Sequence, residues 1–489
     1  MTGPPLPGPP LIDRDEEQRE LRDLLAAGKP KLALLTGRRR IGKTYLLAHA
    51  WNPDRLFLFT AARTTPEINR TQLVADLANW SGENIRPDDF PTWRTVFNLL
   101  LDLKAPEPLV VVLDEFQYLA DDEAGVAAVA SELNAAWERR RTPRPLLLVL
   151  SGSAVGTMEA LAAGGGPLYG RFAWQHRLRP FTYWHADELA RFHKLRERAL
   201  AYGIFGGTPS YLAAIEPKLG LAENVQRLLL APRGEVRLLV ETALDQEDGL
   251  RDTAKYRAIL RSVAGGATQR NEIAQRAGLP NDNALRDKLA RLIDLGYLET
   301  RQNVDAKPNA AVRYRVADPA FRFHQRFVEP NASILERYDP AHVWSENVEP
   351  YLDTYMRHEF ERLASQAYDR RRGAMGLPAV RAWSRWEGTD RSRQSLEVDV
   401  VAPLAAGGVM TGAVKWERGA VTADLHRRHL DMLERAAHAG RTWAHEARDP
   451  AAPLFYLAAG GFTPGFHKTA RASGHPIIAW SLAELYQAP

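Results

Sequence analysis

The chain has 489 residues, with 64 Lys+Arg against 60 Asp+Glu and a formal net charge of +4. Apolar residues make up 45% and charged residues 25%, which excludes a wholly disordered or fibrous chain and leaves length for roughly three domains. No cysteine occurs, so disulfides, cysteine–zinc sites, iron–sulfur clusters and thiol catalysis are excluded together.

No uninterrupted apolar run reaches the ~18 residues of a membrane span. The Pro/Gly-rich start, residues 1–10, lacks the basic and apolar regions of a signal peptide. A soluble cytoplasmic protein without a membrane partner is expected. The positive charge is carried by 53 Arg and only 11 Lys. Spread over this length, that excess does not by itself argue for nucleic acid.

In chain order, a helix at 16–27 leads into strands at 32–36, 56–60, 109–114, 146–151 and 174–178. Helical stretches alternate with them, the pattern of a parallel α/β sheet. Residues 185–250 read as helices, broken once at Gly206-Gly207-Thr208-Pro209. Short helices near 256–264 and 270–277 lead into a third that carries Leu285, Leu289, Leu292 and Ile293 on one face. Gly296 stops it. Strands at 297–301 and 312–316 then flank a polar tip at 303–309, and three helices plus such a ribbon describe a winged helix-turn-helix. After a linker at 329–340 the pattern reads helix 348–371, strands 380–386, 396–403 and 408–415, helix 422–439, strand 454–458, a helix, and strand 477–480.

Gly37-Arg38-Arg39-Arg40-Ile41-Gly42-Lys43-Thr44 matches G-x-x-x-x-G-K-[ST], with an apolar strand running in and a helix starting at Tyr45 running out. Gly37 and Gly42 let successive backbone N–H groups, those around Arg40 and Ile41 included, point at phosphate oxygens. Lys43 places a point charge between the outer phosphates, and Thr44 offers its hydroxyl to Mg²⁺. Leu109-Val110-Val111-Val112-Leu113-Asp114-Glu115 supplies the second half: Asp114 belongs to the Mg²⁺ shell, and Glu115 polarises the attacking water. ATP and Mg²⁺ are the expected cofactors. Ser153, in Ser151-Gly152-Ser153 after the fourth strand, is a candidate γ-phosphate or water contact, and Arg171 a candidate arginine finger.

Asp13-Arg14, the Gly37–Thr44 loop, Leu113-Asp114-Glu115-Phe116-Gln117, Tyr169-Gly170-Arg171 and Gly206-Gly207-Thr208-Pro209-Ser210-Tyr211-Leu212 resemble the archaeal-type ATPases on the AAA+/STAND side of the P-loop NTPases. Asp13 departs from the glycine usual in that position. The resemblance implies an α/β multidomain protein. Its parts are a P-loop ATPase core at 1–184, a helical lid at 185–252, a winged helix-turn-helix at 253–328 and a PD-(D/E)xK nuclease-like domain at 341–489. It also implies an ATP-driven switch or motor, with DNA as the favoured macromolecular partner and a protein partner or homo-oligomer as the alternative.

On the third helix of the winged module, Arg286, Lys288 and Arg291 are balanced by Asp282, Asp287 and Asp294. Sequence-specific reading of a phosphate-lined groove is therefore demoted. In the last block Glu361, Glu397, Asp399 and Lys415 follow the nuclease-like order, with Asp399 as central metal ligand and Lys415 as charge stabiliser. Ala413 stands where an acid is expected. Both a DNA nuclease, with Glu397 substituting, and a degenerate domain kept for binding or assembly remain open. His426 and His429 are read as a solvated helix face, Arg139-Arg140-Arg141 as the basic end of a helix, and Trp383, Trp386 and Trp416 as core or interface residues.

Overall fold

The computed structural model describes residues 11–103, 107–140, 144–247, 250, 252–307, 310 and 312–488. The amino-terminal Pro/Gly segment, Arg141 and positions 308 and 309 of the expected wing tip lie outside them. The chain divides into two compact units: residues 1–180 with 208–210 and 245–251, and the remainder.

The first unit is built on a parallel sheet of β1 (Lys31–Thr36), β2 (Leu56–Thr60), β3 (Leu109–Asp114), β4 (Leu146–Gly152) and β5 (Phe172–Arg177), in the order β2-β3-β4-β1-β5. Every residue of β3 and β4 is buried, as strands covered on both faces must be. Leu73, Leu77, Val96, Phe97 and Leu133 belong to one core cluster; Leu21, Leu46 and Leu47 belong to the other. Each such side chain contributes about 1.5–3 kcal/mol by leaving water, so the Val110-Val111-Val112 run settles on an interior strand covered on both faces. Two of the covering helices, Pro66–Ser81 and Trp93–Asp102, start where Thr65 and Thr92 accept hydrogen bonds from the Ile68 and Thr95 amides. Because all five strands are parallel, Thr36, Thr60, Asp114 and Gly152 end on the same edge of the sheet.

The second unit contains the helices Tyr183–Ala190 and Leu195–Phe205, which pack with the long helix Glu349–Arg372. The Tyr355 hydroxyl donates to the Gly203 carbonyl at 2.9 Å, and the Tyr183 hydroxyl donates to that of Leu485 at 2.8 Å. Helices Thr253–Ala264, Arg270–Ala277 and Asn283–Asp294 precede an antiparallel ribbon, β6 (Leu298–Arg301) with β7 (Arg313–Val316). A separate carboxy-terminal α/β domain follows, with a mixed sheet in the order β12-β11-β10-β9-β8. Its strands are β8 (Ser384–Thr389), β9 (Ser395–Pro403), β10 (Val409–Lys415), β11 (Leu454–Ala458) and β12 (Ile477–Trp480). β8, β9 and β10 are antiparallel neighbours, whereas β10, β11 and β12 run parallel.

Three expectations change. The strand expected at 380–386 is displaced to Ser384–Thr389, because it pairs with β9 through a hairpin in which Asp390 and Gln394 exchange hydrogen bonds. The linker expected at 329–340 is largely helical, with turns at Glu329–Asn331, Ala332–Leu335 and Pro340–Val343; Leu335 and Val343 are buried there. His426 and His429 are not solvated. Both face the sheet and are almost fully buried; His426 Nδ1 lies 2.8 Å from the Tyr456 hydroxyl and His429 Nε2 lies 3.0 Å from that of Thr411. Their arginine neighbours Arg427 and Arg428 stay outside and pair with Asp424. Trp386 and Trp416 are buried.

A charged network fastens the β6–β7 ribbon to the long helix. Glu299 accepts from Arg315 at 2.7 Å and lies 3.5 Å from Arg362, while the fully buried Glu359 pairs with Arg322 and Arg362. Burial pushes the Glu359 carboxyl up, but Arg362, Arg322 and Arg315 outweigh it and hold it down at about 2. Next to this network, Asn303 bridges both backbone groups of Glu387 on the edge strand β8, at 2.8 and 3.2 Å. Asp305 accepts from the Trp386 indole at 3.0 Å. The segment that follows β6 is thereby anchored to the carboxy-terminal sheet.

Glu359→Gln leaves buried guanidinium groups without their counter-charge, and an unfolding titration is expected to read a loss of about 3–5 kcal/mol. The carboxylate's stabilisation is complete above the ordinary glutamate value of ~4.3 and disappears as pH falls towards about 2. The variant's stability is therefore expected to fall less steeply than the wild type's in that window.

Candidate functional site

The loop between β1 and the helix Lys43–His49 has positive φ at Gly37, Arg40 and Gly42, 154°, 67° and 92°. A Cβ on Gly37 would meet the Leu178 carbonyl at 2.9 Å, so only glycine fits that position. Ile41 sends its side chain into the core and leaves only its backbone to a ligand. The Arg40 guanidinium donates to Gln246 at 2.6 Å, and Tyr45 stacks on His49 with ring centres 4.0 Å apart.

Lys43 is buried; its ammonium donates to the Gly37 carbonyl at 2.8 Å and lies 4.0 Å from Glu115. Burial lowers its affinity for a proton, and the charges of Glu115 and Asp114 oppose that. The Thr44 hydroxyl donates to Asp114 at 2.5 Å, so the two groups expected at a metal lie side by side. Glu115 adopts left-handed backbone angles, φ 52° and ψ 44°, a conformation that costs a non-glycine residue about 1–3 kcal/mol. Its carboxylate accepts from the Ser153 hydroxyl at 2.6 Å, from the Ser153 amide at 3.1 Å and from the Gln117 side-chain amide. Burial pushes the Glu115 carboxyl up, but the Lys43 charge and these donors prevail and hold it below the usual range.

The strand order explains this convergence. β4 lies between β1 and β3, so Ser153 at its end sits beside the acids of β3. Gln117 was not among the candidate site residues, although it closes the Leu113–Gln117 motif that carries the resemblance; it binds both Glu115 and Ser153. Pro209, from the Gly206–Leu212 motif, lies 3.8 Å from where a Gly42 Cβ would be, and Glu247 adds its charge near Lys43. Both come from chain segments distant in sequence.

Arg171 is not brought to the loop. β5 runs parallel to β1 with Phe172 opposite Leu32 and Arg177 opposite Thr36. Arg171 therefore lies at the other edge of the sheet, roughly 16 Å of strand away, where it pairs with Glu138 at 2.7 Å. Within one chain, that register keeps Arg171 away from the loop.

In the second unit, Asp399 Oδ2 accepts from Lys415 at 2.7 Å and from the Val414 amide at 2.9 Å. Glu361 and Glu397 do not face an open metal position; both pair with Arg385, and Glu361 also lies 3.2 Å from Arg301. Burial raises the Glu361 carboxyl, Arg385 opposes, and the negative charge of Asp399 adds to the rise. Among the described residues no group of three or more His, Cys, Asp or Glu side chains is arranged to hold a metal ion. Nor is any helix there long and apolar enough to cross a membrane.

Residues 11–215 match a family described as an ATPase domain predominantly from Archaea, and residues 324–429 match archaeal and bacterial proteins of unknown function. An uncharacterised protein of Methanocaldococcus jannaschii is 23% identical over 362 residues, covering 73% of this chain and 76% of that protein. Among solved structures, a Walker-type ATPase of Pyrococcus abyssi is similar at 22% identity and TM-score 0.46, over 65% of this chain and 96% of that one. The Aeropyrum pernix ORC2 protein, solved with ADPNP and ADP, is similar at 15% identity and TM-score 0.43, over 67% and 95%. The family match, the loop and the parallel sheet together make the amino-terminal unit an ATPase domain of the P-loop type.

Ser153→Ala removes a donor that favours the ionised form of Glu115. The acid limb of the pH–rate profile for ATP hydrolysis is expected to move to higher pH, with the folded far-UV signature unchanged.

Proposed function

We propose that the chain hydrolyses ATP with Mg²⁺ held by Thr44 and Asp114, and that this cycle rearranges its carboxy-terminal modules. The observation that carries the reading is the 2.5 Å contact of the Thr44 hydroxyl with Asp114, at the end of a phosphate loop and next to Glu115. Two adjacent oxygen donors suit a hard cation, which neutralises charge on the outer phosphates when bound. Gly37 and Gly42 keep the loop amides open to phosphate, Lys43 offers its charge there, and Glu115 takes the proton of the attacking water. Ser153 and Gln117 hold the Glu115 carboxylate in position. A contribution from Arg171 comes, in this reading, from a second copy of the chain.

DNA is the first macromolecular partner of this proposal, because the three helices and ribbon at 253–328 resemble a winged helix. The anchoring of Asn303 and Asp305 to β8 favours the second reading, a switch directed at a protein partner, since a tethered wing is not free to follow a groove. Nuclease action is disfavoured by Arg385, which already neutralises Glu361 and Glu397 where a metal would need them.

Lys43→Ala is expected to abolish ATP turnover, whereas Glu115→Gln is expected to keep ATP binding and lose about 10²–10⁴ in rate. Turnover that survives Lys43→Ala would sink the assignment. A rate raised several-fold by single- or double-stranded DNA supports the DNA-directed form, and no response turns the search to protein partners. No Mg²⁺-dependent DNA cleavage is expected from the wild type; cleavage lost in Asp399→Ala would reverse that conclusion.

A further inference from the structure

A cavity of about 780 Å³ lies within the second unit, bounded by the β6–β7 ribbon, the turn after helix Thr253–Ala264, the first half of helix Glu349–Arg372, and β8. That volume falls within the range of small-ligand sites. Eight of its lining residues are Lys or Arg and two are Asp or Glu. Four further carboxylates behind the wall, on Glu299, Glu359, Glu361 and Glu397, answer part of that charge. Arg362, also behind the wall, pairs with Glu299 and Glu359, so six acids face nine cations. The surplus is exposed: Lys307 and Arg326 line the cavity and have no ion pair among the described residues.

Three further observations point the same way. Arg441 lies 3.6 Å from Asp305 but keeps its Nε buried and without a hydrogen-bond partner. His358, half-exposed on the cavity wall, is held down at about 4 by the protein packed around it and by the charges of Arg322, Arg385, Arg315 and Arg301. Tyr351, on the same wall, is 53% exposed and offers a flat apolar face.

We propose that this cavity binds a nucleotide-sized ligand carrying two or more phosphate groups, separately from the phosphate loop. Guanidinium forks match phosphate oxygens in geometry and charge, and Tyr351 provides a surface on which a base can stack. The same phosphate chemistry is also presented by a single nucleic-acid strand, so the test separates the two sources.

The full-length Lys43→Ala chain, with the phosphate loop disabled, is titrated calorimetrically with inorganic tripolyphosphate, ADP and a 12-nucleotide single strand. Tripolyphosphate and ADP are expected to bind at one site per chain. Adding Lys307→Glu and Arg326→Glu is expected to weaken both at least tenfold, about 1.4 kcal/mol. In the otherwise wild-type chain the same two changes are expected to leave thermal unfolding and ATP turnover close to the parent's. The proposal is overturned if neither small probe binds, if the charge reversals leave binding unaffected, or if only the oligonucleotide is held. Because the titration does not depend on turnover, it remains decisive if the ATPase reading fails.

Discussion

The position of β4 between β1 and β3 constrains everything at the nucleotide end of the first unit. Neighbouring strands stand about 4.8 Å apart, so the loop strand and the acid strand are separated by two such steps. The gap is spanned from both sides. The helix after the loop carries Thr44 back to Asp114, and the end of β4 delivers Ser153 to Glu115. The second contact depends on β4 lying beside β3, because Ser153 reaches Glu115 from the end of that neighbouring strand. Glu115 is consequently the most restrained group of the site, with a left-handed backbone and three donors on its carboxylate.

The second unit is organised by charge in a different way. Its decisive contacts are between arginines and buried acids, Glu359 with Arg322 and Arg362, and Glu361 with Arg385. Buried pairs of this kind are weak sources of net stability but punish any partner's removal, and they specify which surfaces may meet. Here they tie a ribbon to a helix and a helix to a sheet. The Asn303 bridge adds to this by occupying the backbone of β8, an edge strand whose exposed N–H and C=O groups would otherwise invite another chain.

Much of the first unit was legible in the sequence because its signals are local. The apolar run Leu109–Asp114 carries its own burial, and the Gly37–Thr44 spacing carries its own geometry. What could not be read was set by pairing across the sheet. The register of β5 against β1 moved Arg171 to the far edge, and no local pattern encodes a register. Gln117 and Gln246 look like ordinary polar residues until folding brings them to Glu115 and Arg40. In the second unit Asp399 and Lys415 meet, but Glu361 and Glu397 are taken up by Arg385, which comes from a strand whose position was misread. His429 looked solvated because its flanking arginines are; at a spacing of three residues from His426 it instead shares the buried face of an amphipathic helix.

The network around Glu359 also bears on how such a chain can be inherited. A three-helix segment joined to its neighbour only by a flexible tether can be exchanged between genes without penalty. Here, cutting between Val316 and Glu349 would leave Arg315 and Glu299 on one piece and Glu359 and Arg362 on the other. Each piece would carry charges evolved for a dry surface onto a wet one, with apolar neighbours such as Phe321 and Tyr355 uncovered beside them. The ribbon and the long helix are therefore expected to travel together through gene rearrangement, and to vary together where either varies.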